Sequence, residues 1–390
     1  MALNQLNLIM VAKGFRTFIF GAVSVMTPIY LAVLGYSPFY VGLGLFMIVS
    51  GNVMSNLLLT WYGNAFGRKR FLLIFSALML ISGLLLFSTT IIWLMFLALF
   101  LGNVSTTGTE AGPFQSIETG IIPSMVSESR RGRVFGVYNL IGYSASSLGA
   151  LAASLPSYFR ESIIAFKSVY LAYALVGLLL FAVYLRLKNI EASGRKPGLG
   201  HMTRSGLNDL KKLSLLFSID AFGGGFVTQS IMSYWFYLAY HVTLKDLGAI
   251  FMVVNIITAL SILAAPFIAE RIGNLRTMVF THLISSAFLI MIPFAGSLAG
   301  SLLFLFLRQS TSQMDVPTRQ AFMANIFNED ERVSANAVTN TFRSISSLPG
   351  SPIVGLALSS SLLYIPYTIG GGAKILYDAS IFLSYRKRTS

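Results

Sequence analysis

Two short stretches decide the fold: TWYGNAFGRKRF at residues 60–71 and PFIAERIGNLRT at residues 266–277. They align without gaps at an offset of 206, which matches Gly67 to Gly273 and an arginine to an arginine three positions later. Each stretch ends one long apolar segment and begins the next. Self-similarity at corresponding places along a chain indicates a duplicated structural unit.

A second pair of similar segments lies further along each half. SMVSESRRGRVFGVYNL (124–140) aligns with NIFNEDERVSANAVTNT (325–341) at an offset of 201. The two pairs occur in the same order, so we predict an N-terminal six-helix bundle over 1–188, a connecting loop over 189–211 and a C-terminal six-helix bundle over 212–390. Parallel repeats related by an axis along the membrane normal are one of the known plans for secondary transporters.

The composition places these repeats in a membrane. Of 390 residues, 55% are hydrophobic and 11% are charged, and the mean hydropathy is +0.73. Apolar stretches of roughly 20 residues, the length that crosses a bilayer as a helix, recur along almost the whole chain. The sequence therefore predicts an all-α integral membrane protein with twelve transmembrane helices in two pseudo-symmetric halves. The predicted spans are 6–34, 38–62, 71–89, 91–118, 134–155, 165–186, 212–240, 247–269, 277–295, 298–325, 333–358 and 364–384.

The basic residues set the orientation. Those near the predicted helix ends fall almost entirely on one side, and only Arg160, Lys167 and Lys245 fall on the other. Because Lys and Arg in short loops are retained in the cytoplasm, we predict a multi-pass protein of the cytoplasmic membrane with both termini in the cytoplasm. This explains the net charge of +14 without a nucleic-acid partner. The N-terminal MALNQLNLIMVAKGF lacks a basic region and a cleavage site, so we read it as the start of the first helix.

The loop GNAFGRKR (63–70) resembles the loop between the second and third helices of the major facilitator superfamily, which reads roughly G-x-x-x-D-R-x-G-R-K/R. Asn64 and Ala65 stand where that pattern usually has Asp and Arg. Further segments are similar to a broad prokaryotic branch of uncharacterised transporters. The resemblance implies a secondary active transporter that moves a small solute by alternating access, driven by a proton or other ion gradient and acting as a monomer.

The resemblance also implies gating residues in both copies of this loop and at the cytoplasmic end of the tenth helix. They are Asn64, Gly67, Arg68, Arg70, Glu270, Arg271, Gly273, Arg276 and Arg319. In both copies the basic side chains are suited to bind carbonyls at the C-terminal ends of neighbouring helices, and we expect Arg68 and Arg70 to do so in the first copy.

Ionisable residues inside the predicted spans are the strongest functional signal, because each costs at least about 2.5 kcal/mol to insert and usually faces a partner or a wet cavity. Helices 1, 4, 7 and 10, which the resemblance implies line the cavity, contain Lys13, Arg16, Glu110, Glu118, Asp220, Arg308, Asp315 and Arg319. At about 1.5 Å of rise per residue, Arg16 and Arg308 lie about 15 Å inside the bilayer. We predict a substrate and proton cavity formed by Arg16, Glu110, Asp220, Arg308 and Asp315.

The roles within this set remain open. Asp220 and Glu110 are the favoured proton carriers, and Arg16 and Arg308 suit an anionic substrate; alternatively these four residues form structural salt bridges, and a neutral or cationic cargo is then allowed. Spacing predicts local i, i+4 pairs for Asp315 with Arg319 and for Lys374 with Asp378. We expect Pro317 to kink the tenth helix and His282 to be a packing residue.

The sequence lacks the motifs that other functional classes require. The sequence has no HExxH, GxSxG or GxxxxGK[ST] motif, no cysteine, and three scattered histidines, so we predict neither an enzyme nor a metal or cofactor site. A uniporter without ion coupling and a non-transporting sensor derived from a transporter remain as alternatives. The identity of the solute and the direction of transport are not encoded in these patterns.

Overall fold

The computed structural model describes residues 2–109, 112–188 and 202–387. Glu110 and most of the predicted connecting loop lie outside these residues. The described residues form helices and turns without a strand. The helices are α1 Ala2–Val33, α2 Pro38–Phe66, α3 Arg68–Ser88, α4 Ile92–Leu101, α5 Pro113–Met125, α6 Glu128–Ala152, α7 Ile163–Leu185, α8 Arg204–Gly225, α9 Gln229–Tyr240, α10 Leu244–Ile272, α11 Asn274–Met291, α12 Leu298–Ser312, α13 Asp315–Ile326, α14 Glu329–Ser346, α15 Gly350–Ser359 and α16 Ile365–Tyr385.

These helices account for the twelve predicted spans. Eight spans are single helices, and four are pairs of consecutive helices: α4 with α5, α8 with α9, α12 with α13 and α14 with α15. Within the described residues, seven segments are long and apolar enough to cross a membrane by length and composition alone. The predicted fold class is confirmed, but spans 4, 7, 10 and 11 are interrupted helices and not the continuous ones that the hydropathy pattern indicated.

Proline explains where two of the interruptions fall. The tenth span breaks at Gln313 and Met314, directly before the first turn of α13, which contains Pro317. The eleventh breaks at 347–349, and Pro349 precedes α15. Proline has no backbone N–H to donate to the preceding turn, so a helix that reaches it loses a hydrogen bond and bends or ends. The predicted kink at Pro317 is therefore a full break a few residues earlier.

The longest interruption, between α4 and α5, is stabilised by side chains from neighbouring helices. Backbone carbonyls inside a bilayer need internal partners because no water reaches them. Asn52 donates to the carbonyl of Val104 at 2.8 Å, and Ser146 donates to that of Gly108 at 2.7 Å. Tyr173 donates to the carbonyl of Gly102. Three carbonyls of the non-helical segment are thus satisfied by side chains of neighbouring helices.

The chain divides into two compact units. One contains Met1–Gly194 with Thr228–Asn255, and the other contains Arg195–Val227 with Ile256–Ser390. The chain passes from one unit to the other between α8 and α9, and again within α10. The domain limits derived from the sequence, 1–188 and 212–390, remain a prediction.

Small residues next to the break after α8 allow neighbouring helices to approach closely. A Cβ atom at Gly225 would collide with the backbone carbonyl of Ser347, and one at Gly223 would lie 2.7 Å from the carbonyl oxygen of Gly370. Close approach of backbones at small residues is how membrane helices pack without a hydrophobic driving force. The glycines that follow Asp220 therefore serve packing of α8 against the α14–α15 segment and α16.

Candidate functional site

The N-terminal half holds a buried ion pair between its first and fourth spans. Arg16 of α1 donates from Nη1 to Oε1 of Glu118 at 3.0 Å and from Nη2 to Oε2 at 2.6 Å. Both side chains are 0% exposed. Two parallel charge-assisted hydrogen bonds of this kind fix the guanidinium and the carboxylate in one plane.

Two tyrosines complete the coordination of Glu118. The Tyr184 hydroxyl donates to Oε1 at 2.7 Å and the Tyr138 hydroxyl donates to Oε2 at 2.8 Å, and Arg16 also donates to Tyr184. The Lys13 ammonium lies 4.4 Å from the centre of the Tyr138 ring. We call these five residues the Arg16 cluster. Each oxygen of the Glu118 carboxylate already has two donors. This agrees with the alternative in which Arg16 forms a structural salt bridge.

The C-terminal half holds a larger set of charges around Asp220 of α8. Lys374 of α16 donates to Oδ1 at 2.8 Å, and Arg343 of α14 donates to Oδ2 at 2.8 Å. Arg319 of α13 lies 3.7 Å from Oδ2 and donates to Asp315 at 2.7 Å. The predicted local pair of Asp315 and Arg319 is therefore confirmed.

His282 of α11 connects a third carboxylate to this set. Its Nδ1 lies 2.9 Å from Oδ1 of Asp378, and its Nε2 lies 3.3 Å from the Lys374 ammonium and 3.5 Å from Oδ1 of Asp220. The predicted local pair of Lys374 with Asp378 is wrong, because Lys374 turns to Asp220 and Asp378 to the histidine. His282 is buried, as expected of a packing residue, and both of its ring nitrogens have polar partners on α16.

We call the seven side chains that meet here the Asp220 network: Asp220, His282, Asp315, Arg319, Arg343, Lys374 and Asp378. They come from five helices, α8, α11, α13, α14 and α16. Three carboxylates face three permanent cations and one histidine. The charges cancel when the histidine is neutral, so one added proton gives the network a net charge of +1.

Arg308 of α12 lies apart from that network. It exposes 7% of its surface, and its Nη1 donates to Oε1 of the neighbouring Gln309 at 2.7 Å. Its Nε has no hydrogen-bond partner. Of the five predicted cavity residues, the structure therefore brings Asp220 and Asp315 together, gives Arg16 a different acid, leaves Arg308 separate, and does not describe Glu110.

The sequence profile of the Major Facilitator Superfamily matches residues 9–351. The chain belongs to this superfamily. The superfamily is one of membrane transporters, so the prediction of a transporter and not an enzyme is confirmed. An uncharacterized membrane protein of Saccharomyces cerevisiae is 25% identical over 417 aligned positions, which cover 97% of this chain and 93% of that protein.

Solved transporter structures have the same fold. The nucleoside transporter NupG matches with a TM-score of 0.76 at 14% identity and covers 98% of this chain and 100% of its own. The xylose transporter XylE from E. coli, in an inward-open conformation, gives 0.76 at 14% identity, with 98% and 96% covered. A bacterial homologue of the iron transporter ferroportin gives 0.72 at 12% identity, with 98% of both chains covered.

In this transporter the two copies of the repeated loop have the same backbone turn. Gly67 between α2 and α3 has a φ of 87°, and Gly273 between α10 and α11 has a φ of 88°. Residues with a Cβ rarely adopt this conformation. The duplicated glycines are therefore required by the turn that joins consecutive spans.

Basic residues of the first loop bind the ends of neighbouring helices. Arg68 donates to the carbonyl of Gly120 in α5 at 3.1 Å. Lys69 donates to the carbonyls of Leu185 and Leu187 at 2.8 and 2.7 Å, where α7 ends. Sequence reasoning named Arg68 and Arg70 for this role, whereas Lys69 makes the second contact.

The remaining predicted gating residues lie in different surroundings. Arg70, Glu270, Arg271 and Arg276 are exposed. The side chain of Asn64 lies outside the described residues. Arg319, predicted at a cytoplasmic gate, belongs to the Asp220 network instead.

Polar side chains also join α9 to α1, a contact that sequence reasoning missed. Gln229 donates to the Ser24 hydroxyl at 2.9 Å, Ser230 donates to the Ser24 carbonyl at 2.6 Å, and Ser233 donates to the Val25 carbonyl at 3.0 Å. All five residues are buried. We call them the α1–α9 contact. Its only signal in the sequence was a run of small polar residues within an apolar span.

Proposed function

We propose that the protein is a proton-coupled secondary active transporter of the cytoplasmic membrane, with both termini in the cytoplasm, that moves a small solute by alternating access. The observation that supports it best is the Asp220 network. Seven ionisable groups meet there, of which Asp220, His282, Asp315 and Asp378 are buried, and their charges balance only when His282 is neutral. Such clusters inside membrane spans are typical of proton and ion pathways.

The pair of His282 and Asp378 is the place where a proton can be exchanged. In the neutral form, an Nδ1–H donates to Asp378 and Nε2 accepts from Lys374, in agreement with the distances of 2.9 and 3.3 Å. In the protonated form, Nε2–H points toward Asp220 at 3.5 Å. Both protonation states therefore have partners, and the proton belongs to the coupled pair and not to one residue.

Asp220 itself is better suited to stay ionised. Lys374 and Arg343 each donate to it at 2.8 Å, and a protonated Asp220 would leave both cations, which are largely shielded from solvent, facing a neutral group. The proton-carrying role, for which the sequence favoured Asp220 and Glu110, is therefore assigned here to His282 and Asp378. Asp220 then stays negatively charged while the pair of His282 and Asp378 gains or loses the proton.

The break between α8 and α9 offers a way to convert this proton into movement. Asp220 lies on α8 five residues before Gly225, where that helix ends, and α9 is bound to α1 through Gln229 and Ser230. A change in charge at His282 changes the forces on α8 through Asp220. The interruption at 226–228 allows α8 to shift while α9 keeps its contact with α1.

Transport by the purified protein in liposomes tests this proposal, with a cargo found by thermal-shift screening of metabolites, since ligands that bind only the folded state stabilise it. We expect a pH gradient to drive accumulation or extrusion in the wild type. His282→Gln should abolish the response to the gradient but retain counterflow exchange. Asp220→Asn should abolish both.

The matched control is His241→Asn, because His241 is exposed and belongs to no charge cluster described above. It should respond to the gradient as the wild type does. Unchanged gradient-driven transport in His282→Gln would refute proton coupling through this network. Downhill transport without any response to pH in the wild type would identify a uniporter.

A further inference from the structure

Arg308 is the feature of the C-terminal half that the proposed mechanism does not use. Arg308 is buried, with only 7% of the residue exposed. No carboxylate among the described residues lies within ion-pairing distance of it. Arg16, Arg319, Arg343 and Lys374 all have such a carboxylate. A charge buried without a counter-charge is strongly unfavourable in a folded protein.

The neighbours of Arg308 hold it in place without neutralising it. Nη1 donates to Oε1 of Gln309 at 2.7 Å, and the amide nitrogen of Gln309 in turn donates to the hydroxyl of Thr258 on α10. This chain fixes one edge of the guanidinium. The Nε donor on the other edge has no partner.

A second polar group without a partner lies next to it. The hydroxyl of Ser312 is buried and makes no hydrogen bond. Ser312 follows Arg308 by four residues in α12, so both side chains lie on the same face of the helix. Buried donors are nearly always satisfied in native proteins. An uncompensated cation with an unsatisfied Nε, beside an unsatisfied hydroxyl, indicates a missing acceptor with a negative charge.

We propose that the transported solute contains a carboxylate or phosphate group that binds Arg308, with Ser312 as an additional donor. This rests on the proposed transport function and names its substrate class. The planar fork of Arg presents parallel N–H donors to two oxygens of one oxyanion. Arg16 does not compete for this role, because Glu118 already occupies both of its terminal nitrogens.

The net charge of the Asp220 network determines which gradient drives transport of an anion. The Asp220 network is neutral before it takes up a proton, so it neither repels nor requires an anion. A solute with one negative charge that moves together with one proton on the pair of His282 and Asp378 transfers no net charge across the membrane. Transport of such a solute is then driven by the pH gradient and is insensitive to membrane potential.

Binding to the detergent-solubilised full-length protein tests the site directly. The probes are the sodium salts of acetate, succinate and inorganic phosphate, with sodium chloride at equal ionic strength and glycerol as an uncharged control. We expect at least one oxyanion to raise the thermal unfolding midpoint of the wild type in a saturable manner. Loss of a charge-assisted hydrogen-bonding partner in Arg308→Gln should raise its apparent Kd about tenfold to a hundredfold.

Matched variants separate this site from general electrostatic effects. Lys245→Gln removes an exposed cation and should bind as the wild type does, and Arg308→Lys should bind with intermediate affinity. The assignment is overturned if no oxyanion stabilises the wild type, or if Arg308→Gln is stabilised equally. Equal stabilisation by chloride would assign Arg308 to a small inorganic anion and would also overturn it.

A measurement without any ligand gives an independent check. Arg308→Met removes an uncompensated charge, so we expect its unfolding midpoint in oxyanion-free buffer to be higher than that of the wild type. Arg16→Met breaks a complete ion pair and should lower the midpoint. A lowered midpoint for Arg308→Met as well would identify Arg308 as a structural residue and refute the proposal.

The two proposals can fail separately. His282→Gln should leave the oxyanion-induced rise in midpoint unchanged. Oxyanion binding without transport driven by the pH gradient would refute proton coupling and retain the Arg308 site. Transport of an uncharged solute that is driven by the pH gradient and unaffected by Arg308→Gln would refute the anionic cargo and retain proton coupling.

Discussion

The Arg16 cluster and the Asp220 network each contain an acid and a base on the first and fourth spans of their half, with opposite polarity. In the N-terminal half a base on the first span, Arg16, binds an acid on the fourth, Glu118. In the C-terminal half an acid on the corresponding span, Asp220, lies 3.7 Å from a base on the tenth, Arg319. Glu118 and Arg319 are 201 positions apart, the offset of the second pair of repeated segments.

The two clusters differ in how completely hydrogen bonds saturate the central carboxylate and in how far the side chains are exposed. Both oxygens of Glu118 are saturated by Arg16 and two tyrosines, and the side chains of the pair are 0% exposed. In the network, Asp220 shares three cations and a histidine, and the exposure of the Arg343 side chain reaches 23%. The acid in the N-terminal half therefore has one closed set of partners, whereas the acid in the C-terminal half is shared among several cations from different helices.

The largest effect is expected from Glu118→Gln. The change leaves the Arg16 guanidinium buried beside a neutral amide, and breaking a buried pair in this way costs about 3–5 kcal/mol of unfolding free energy. Unfolding followed by thermal melting and by detergent titration measures it. Glu270→Gln, at an exposed acid, should change stability by less than about 0.5 kcal/mol. A loss below 1 kcal/mol in Glu118→Gln would show that the pair is not the structural contact described.

Exchanging the charges of the N-terminal pair tests whether polarity matters. The double variant Arg16→Glu with Glu118→Arg gives this half the polarity of the other half. We expect it to recover part of the stability lost in the single variants, with a coupling energy of about 1–3 kcal/mol in a double-mutant cycle. Recovery should be incomplete because Tyr138 and Tyr184 donate to the carboxylate at 118. Additive losses would mean that the two sites do not interact.

The Arg16 cluster also shows where sequence reasoning fails. Counting residues puts Arg16 about 15 Å inside the bilayer, whereas its partner Glu118 is the last residue of the predicted fourth span, 91–118. That depth assumed a continuous helix with about 1.5 Å of rise per residue. The chain is not helical at 102–109, so residues after the break do not lie at the depth that counting gives.

In the Asp220 network, helical spacing predicted one pair correctly and another pair wrongly. The pair of Asp315 and Arg319 could be predicted because both lie in one helical segment at i, i+4 spacing. Lys374 and Asp378 have the same spacing, yet tertiary partners replaced the local pair. No single-sequence pattern relates His282 of α11 to Asp378 of α16, because the packing of two helices depends on the whole bundle. The repeat, the helix count and the charged spans were readable from the sequence, whereas the partners across helices were not.

Removing one cation from the network should have a smaller effect than opening the N-terminal pair. Lys374→Met leaves Asp220 with Arg343 at 2.8 Å and Arg319 at 3.7 Å. Because partners remain, we expect a loss of about 1–2 kcal/mol in unfolding free energy, measured as for Glu118→Gln. A loss as large as that of Glu118→Gln would contradict the distinction between a saturated pair and a shared network.

An acid outside the membrane spans provides the smallest and most specific test. Glu331, in the first turn of α14, accepts from the backbone N–H of Thr203 at 2.7 Å and from its hydroxyl at 2.9 Å. It also accepts from the N–H of Asn328 at 3.3 Å, which completes the capping box of α14. The carboxylate thus joins the start of α8 to the start of α14. The offset of 201 places Arg130 at the corresponding position of the N-terminal half, so this acid is specific to the C-terminal half.

The hydrogen bonds from Thr203 lower the pKa of Glu331 below its usual value. A carboxyl with a lowered folded-state pKa stabilises the protein above its unfolded pKa of about 4.3, and this contribution is lost as the pH falls through the folded value. Glu331→Gln should therefore cost about 1 kcal/mol at pH 7 and progressively less in acid. Comparing unfolding midpoints of both proteins between pH 7 and about pH 3.5 measures the difference. A loss of stability in Glu331→Gln that does not change with pH would show that Glu331 acts by packing alone. Altered transport in this variant would link the α8–α14 junction to the movement of the C-terminal half.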